Sequence, residues 1–348
     1  MKKVGVFVGE HGHWGFFREI FADLELHYQT EVFQEKTYNL PLLYGRFNRW
    51  AYSGQIRSML KHNDVCFFEW ASELLKEASL LEKQCPIVTR MHSYEVHVWA
   101  PQIEWGHVDH IIFVSEYIRQ KFLENHPEQA AKSSVIYNGV DLERFQPNYE
   151  RDFTFNIGML CNFHPVKRIY EMVFTVAELK RQGYHPHLHI AGGKWPGGHL
   201  DGYYIAIERV IEKLNLQDTV TLHGPIKDPQ RWLREIDIVV SNSYWEGQSV
   251  ALLEGMASGC YALSHFWDGV EDVLPAEQIY SHDLELQEKL IAYAERSAAE
   301  KRQLQMRMRE LTCQKFDIRQ TAKAIRAILE EVTHQNSLPF VMRRQVTA

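Results

Sequence analysis

Apolar residues in this chain fall into short runs that break into polar residues or glycine. The runs at 4–8, 65–68, 87–90 and 110–114 are rich in valine, isoleucine and phenylalanine. Being apolar on both faces, they predict strands buried inside a parallel sheet. Between them, 16–24, 72–81 and 116–125 repeat their apolar positions every three or four residues, which predicts helices, and 46–62 reads the same way. The alternation restarts at 154–159 and continues as helix, strand, helix, strand, helix to about residue 278. An amphipathic helix is predicted over 318–332, and no pattern follows residue 333. Strands alternating with helices imply an α/β fold. Asn138-Gly139 and Pro147 interrupt the pattern midway. Two domains are therefore expected, 1–145 and 146–317, with 318–348 as a terminal helix and tail. A length of 348 residues fits this at ~150 residues per domain.

Charge and cysteine content narrow the function. The net charge of −7, from 38 basic and 45 acidic residues, argues against a general nucleic-acid-binding surface. The five cysteines, Cys66, Cys85, Cys161, Cys260 and Cys313, are odd in number and widely spaced. With no Cys-x-x-Cys, they point to reduced thiols in the cytoplasm rather than disulfides or structural zinc. The first residues look like a signal peptide, but the apolar run is too short and Glu10 and His11 follow it. No stretch approaches the ~20 apolar residues of a membrane span. Residues 46–62 stand out on an acidic chain, with Arg46, Arg49, Arg57, Lys61, Phe47, Trp50 and Tyr52 and no acid. Such a stretch fits peripheral contact with the inner face of an anionic membrane, or with an acidic or lipid-phosphate acceptor. A helix with a solvated basic face has the same composition.

Candidate chemistry concentrates between 236 and 259. Residues 236–241 predict a strand, a polar loop follows, and 250–257 predict a buried helix with Ser249 as its N-cap. Backbone N–H groups at such a helix start bind phosphate. Glu246 in the loop and Glu254 in the helix can accept hydrogen bonds from hydroxyls beside that phosphate. The expected ligand is a phosphate flanked by polyols, which describes a nucleotide sugar. Lys167 and Arg168 lie between a predicted strand and helix, where two cations can neutralise a diphosphate leaving group; a solvated basic pair is the plainer alternative.

Glycines at 9, 12 and 15 follow the first strand and permit close backbone approach to a ligand, though not in Gly-x-Gly-x-x-Gly spacing. His11 and His13 lack an Asp or Cys to complete a metal set. His92 ends a strand within Arg90-Met91-His92-Ser93-Tyr94-Glu95, where it can meet a sugar hydroxyl or simply pack. Arg90 and Glu95 are candidates for acceptor contacts or for supporting His92. His185, His187 and His189 alternate along one strand face, a pattern better read as structural than as a zinc site.

Glu246-x7-Glu254 with Gly255-Met256-Ala257-Ser258-Gly259 resembles the signature of retaining glycosyltransferases of family 4, which have the GT-B fold. Residues 135–141 with Phe145 and Pro147 are similar to that family's interdomain segment. Residues 157–168 resemble its phosphate-binding loop, 188–193 and 220–224 its next two strands, and 267–271 a turn near the nucleotide. The resemblance implies two Rossmann-like domains facing across a cleft, acceptor side first and donor side second, with the last helix crossing back. It implies transfer from a nucleoside-diphosphate sugar, of UDP or GDP type, to a hydroxyl of a sugar, lipid-linked or small-molecule acceptor in glycan or glycoconjugate biosynthesis.

In the family's scheme the transfer occurs on the front face of the sugar, and the leaving diphosphate helps to take the acceptor proton. A double displacement would need a carboxylate pair that this sequence does not single out. By the same resemblance Lys167 and Arg168 hold the diphosphate. Amides around Gln248, Ser249 and Val250 support the donor, Glu246 binds donor-sugar hydroxyls and Glu254 the ribose. His92 sits near the transferred sugar, and the loop with Gly12 faces the donor diphosphate. His92, Lys167 and Glu246 form the expected catalytic set. No Asp-x-Asp is present, so metal-independent chemistry without a further cofactor is expected. Met159 stands where the family usually has an arginine, and Arg168 is the candidate replacement. An epimerase acting on nucleotide sugars, or a non-catalytic sugar-nucleotide-binding protein, remain as alternatives on the same fold.

Overall fold

The structure is a computed structural model that describes residues 1–9, 14–39 and 44–337. The chain divides into two compact units, Met1–Asn138 with Ile318–Ala348, and Gly139–Asp317.

The first unit is built on six parallel strands: β1 (Lys3–Val8), β2 (Gln29–Val32), β3 (Val65–Glu69), β4 (Ile87–Met91), β5 (His110–Phe113) and β6 (Ser133–Val135). Their order in the sheet is β2-β1-β3-β4-β5-β6. Side chains alternate between the two faces, as the strand repeat requires. Phe7, Phe68, Met91 and Phe113 meet Ile56, Leu75 and Phe122 from helices Tyr44–His62, Glu73–Ser79 and Glu116–Leu123. On the other face Val4, Val6, Phe67 and Ile112 meet Ile20 and Leu24 of helix Arg18–His27, and Ile325 and Leu329 of the last helix, Ile318–Ser337. Thr321 of that helix also donates to the Tyr137 carbonyl at 3.0 Å. β2 has no apolar run to announce it. Its Gln-Thr-Glu-Val sequence lies at the sheet edge with every residue at least partly exposed.

The second unit repeats the architecture with β7 (Asn156–Leu160), β8 (His187–Ala191), β9 (Val220–Gly224), β10 (Ile238–Ser241), β11 (Tyr261–His265) and β12 (Ile279–Tyr280). The strands are parallel, in the order β12-β11-β10-β7-β8-β9. The unit begins at Gly139, ahead of the break expected near residue 145, because the intervening residues pack inside it. Leu142 and Phe145 are buried, the Val140 N–H donates to the Phe316 carbonyl at 2.8 Å, and Arg309 donates to the Leu142 carbonyl at 2.9 Å.

Each sheet reverses its strand order once, between β1 and β3 and between β7 and β10. Connections leave such a point in opposite directions, which opens a crevice at the carboxyl ends of the strands. Helix Val250–Ala257 lies directly on β10. A Cβ added to Gly255 would sit 2.5 Å from a Val239 methyl carbon, so only glycine lets the helix come this close.

The histidine row extends across two strands. His187 and His189 of β8 stack with ring centroids 4.4 Å apart, and His189 Nδ1 lies 3.0 Å from Nε2 of His223 on β9. His185 precedes β8, so the third ring of the cluster is His223. Burial, then the neighbouring His187 and His223, hold His189 down to about 4, and burial also lowers His187 and His223. Unfolding frees His189 to take a proton below its ordinary 6.5. Between that value and about 4 the unfolded chain binds more protons, so stability should fall as pH falls through this window. Melting curves across the window should show a shallower loss in His189→Gln than in the wild type. Parallel pH profiles for the two proteins would show that the cluster carries no acid sensitivity.

Candidate functional site

At the β7–β10 reversal two loops are knitted together. Polar residues end both strands: Cys161 and Asn162 follow β7, and Asn242 and Ser243 follow β10. The Tyr244 N–H donates to the Val166 carbonyl at 2.9 Å, and the Asn242 amide donates to the Arg168 carbonyl at 2.9 Å. Arg168 occupies the left-handed region, with φ 50° and ψ 40°, an uncommon conformation for a residue with a side chain. Its guanidinium is buried. It donates to Asn242 Oδ1 at 3.2 Å, pairs with Asp283 Oδ1 at 2.6 Å and lies 5.0 Å from the Tyr244 ring centre. The Tyr280 hydroxyl donates to the same Asn242 oxygen at 2.6 Å. One arginine thus joins the ends of β7, β10 and β12.

Lys167 points to the other side of this joint. Its Nζ is 2.5 Å from Glu246 Oε1, and the Ser243 hydroxyl donates to the same oxygen at 2.6 Å. Burial alone would lower the Lys167 ammonium, but the charge and hydrogen bond of Glu246 raise it on balance. Gln248 and Ser249 are buried where the loop enters the helix, and Val250 begins the helix. Ser249 holds the N-cap position, as expected from the sequence, but its side chain makes no cap hydrogen bond. The hydroxyl therefore does not serve the N–H groups of the first turn. Glu254 stands one turn into the helix, half-buried. Met159 lies inside β7 and is buried, so a cation at that position would face the core rather than a ligand. The loop after β8 closes on the Lys167 loop: Gly192 has φ 150°, and a Cβ there would lie 1.9 Å from the Cys161 carbonyl oxygen.

The carboxyl ends of β3 and β4 in the first unit hold a second polar cluster. Glu69 ends β3 and Arg90 lies opposite it in β4, both fully buried. Glu69 Oε1 accepts from Arg90 Nη1 at 3.0 Å and faces His92 Nε2 at 2.9 Å. Arg90 also donates to Asn138. Glu95 accepts from the backbone N–H groups of His92 and Ser93 at 3.0 and 2.8 Å. Burial raises its carboxyl against the pull of His92 and those amides. Trp70, with φ 76°, packs tilted against the His92 ring, with centroids 4.1 Å apart. Arg90 and Glu95, read as candidates for acceptor contact or for supporting His92, are both sealed from solvent and engaged around His92. Removing one partner of a sealed ion pair costs about 3–5 kcal/mol, so this network holds His92 firmly.

The sequence did not single out Glu69, Asn242, Tyr280 or Asp283. Each acts through a partner on another element, and no spacing links them. Gly12, His11 and His13 lie outside the described residues. Among the described residues no set of three or more His, Cys, Asp or Glu is arranged to hold a metal ion. Helix Tyr44–His62 exposes Phe47, Arg49, Trp50, Arg57 and Lys61, while Tyr52 packs against the core; the Arg46 side chain is outside the described set.

Both units match known families. Residues 8–144 match the model described as Glycosyltransferase Family 4, and residues 154–292 the one described as Glycosyl transferases group 1. Protein CapJ of Staphylococcus aureus is 23% identical over 172 residues, 48% of this chain and 42% of that protein. The putative glycosyltransferase EpsF of Bacillus subtilis is 32% identical over 136 residues, 36% of this chain and 34% of that protein. The chain thus spans well under half the length of these curated relatives. The crystal structure of Anabaena HepE, in complex with UDP and glucose, superposes with a TM-score of 0.79 at 16% identity, covering 95% of this chain and all of that one. Together with the two parallel Rossmann-like sheets, this makes the fold GT-B.

The left-handed backbone at Arg168 separates its two contributions. Arg168→Ala keeps the left-handed strain and loses the guanidinium, whereas Arg168→Gly loses the guanidinium but also relieves the strain. Both should be less stable than wild type in urea, with Ala worse than Gly by about 1 kcal/mol. An Ala variant as stable as wild type would show that the guanidinium contacts add nothing.

Proposed function

We propose that this chain, which belongs to the family 4 and group 1 glycosyltransferases, moves a sugar from a nucleoside-diphosphate sugar to an acceptor hydroxyl with retention at the anomeric carbon. The observation that supports it most is the grouping of Lys167, Glu246 and the start of helix Val250–Ala257 at the β7–β10 reversal. Lys167 takes the diphosphate, whose charge grows as the sugar leaves. The backbone at Gln248, Ser249 and Val250 receives the phosphates, Glu246 the sugar hydroxyls and Glu254 the ribose. Arg168 supports the diphosphate by holding the loop that carries Lys167. His92, backed by Glu69, serves the transferred sugar. The protein's contribution is then position and charge, without a metal. A UDP-type donor is favoured because the structural neighbour HepE was crystallised with UDP and glucose.

Lys167→Ala should lose roughly 2–4 kcal/mol of transition-state stabilisation in kcat/KM. Glu254→Gln should mainly weaken nucleotide binding, because ribose is remote from the reacting carbon. Donor turnover followed by NMR tests the reading and reports the product anomer. Full activity of Lys167→Ala, or an inverted product, would count against it.

The acceptor side is proposed to meet an anionic membrane through helix Tyr44–His62. Its described exposed residues join two aromatic rings to Arg49, Arg57 and Lys61, and the helix sequence contains no acid. Each basic residue near an anionic bilayer contributes about 1 kcal/mol. Co-sedimentation with anionic vesicles should therefore be strong at low salt, and should weaken at high salt or in the Arg49→Glu, Arg57→Glu double variant. No sedimentation at low salt would leave the helix as ordinary surface.

A further inference from the structure

We infer that Glu246 selects for the sugar on the donor: its carboxylate competes with a bare nucleoside diphosphate for Lys167, and gives way when a sugar is attached. The inference rests on the donor roles proposed above for these two residues.

Lys167 Nζ lies 2.5 Å from Glu246 Oε1, and the two side chains are 22% and 16% exposed. The pair is shielded enough to matter and open enough for a ligand to reach. An ammonium has three donors and can touch a carboxylate and a phosphate together. Doing so would bring two anions side by side, and like charges repel. A nucleoside diphosphate without sugar therefore meets a carboxylate that repels it and already holds its cation.

A sugar changes the balance. The Ser243 hydroxyl donates to Oε1 at 2.6 Å, so this oxygen already accepts from a hydroxyl while paired with Lys167. Sugar hydroxyls supply the same kind of donor, and with them Glu246 keeps its hydrogen bonds as the ammonium turns to the diphosphate. Once the sugar has been transferred, those donors leave with it. Glu246 then reclaims Lys167, and the nucleoside diphosphate departs more readily. The loop does not need to move for this exchange. The bonds from the Tyr244 N–H to Val166 and from Asn242 to Arg168 hold both backbones in place.

Calorimetry with UDP, and GDP as second probe, on wild type and Glu246→Gln tests the competition, because glutamine keeps the shape and removes the charge. UDP should bind the variant about fivefold more tightly, the scale of one partly exposed ion pair. UDP-glucose should gain less or weaken, so the preference for the sugar-loaded nucleotide should shrink. Equal or weaker UDP binding by a folded Glu246→Gln, with wild-type binding intact, overturns the competition and leaves the donor reading standing. If neither nucleotide binds the wild type, the donor reading fails and the inference fails with it. Glu246→Asp, whose carboxylate is drawn back from Lys167, gives the same test if the glutamine variant does not fold.

Discussion

The loops at the β7–β10 reversal hang on one buried guanidinium. Arg168 is out of water, in a backbone conformation that most side chains avoid, and is held there by Asn242, Asp283 and the Tyr244 ring. A charge so placed must be compensated, and its partners come from the segments following β10 and β12. The cost of burying the arginine is met only when those segments are in place. The ends of three strands are thereby locked to each other before any ligand arrives. Lys167, its immediate neighbour, inherits a fixed origin, and so does Glu246 through the loop that starts at Asn242.

The first unit uses the same logic with opposite charges. There a fully buried carboxylate, Glu69, draws Arg90 and His92 to one oxygen. In each unit a buried charge is paired with an opposite one, Glu69 with Arg90 and Arg168 with Asp283. Both clusters lie at the carboxyl ends of neighbouring strands, β3 and β4 in one unit and β7 and β10 in the other, and the second of these is where the strand order reverses. The repetition concerns architecture, since the residues of the two clusters share no motif.

Much of this was readable from the sequence. Strands such as β1, β3, β4 and β10 appear as apolar runs because both sheet faces are covered. β2 and the two-residue β12 do not, because edge strands need no such run. The strand–loop–helix segments that carry Lys167, Glu246 and Glu254 were legible because polar residues interrupt an otherwise apolar pattern. Their fixing partners were not. Arg168 and Asp283 are 115 residues apart, and no local period connects them. His223 was hidden for the same reason: its partnership with His189 depends on the register of two strands. Ser249 shows the opposite limit, since its place at the helix start was visible while its missing cap bond depends on a rotamer.

The close approach at Gly192 bears on time. Backbone there presses against backbone at Cys161, with no room for a side chain between. Together with the bond from Tyr244 to Val166, it confines the Lys167 loop from both sides. These contacts restrain the backbone of the segment, while rotation about side-chain bonds, a motion of picoseconds to nanoseconds, is left to it. The proposed exchange of Lys167 between Glu246 and a diphosphate would run on that faster clock rather than on the slower one of loop motion.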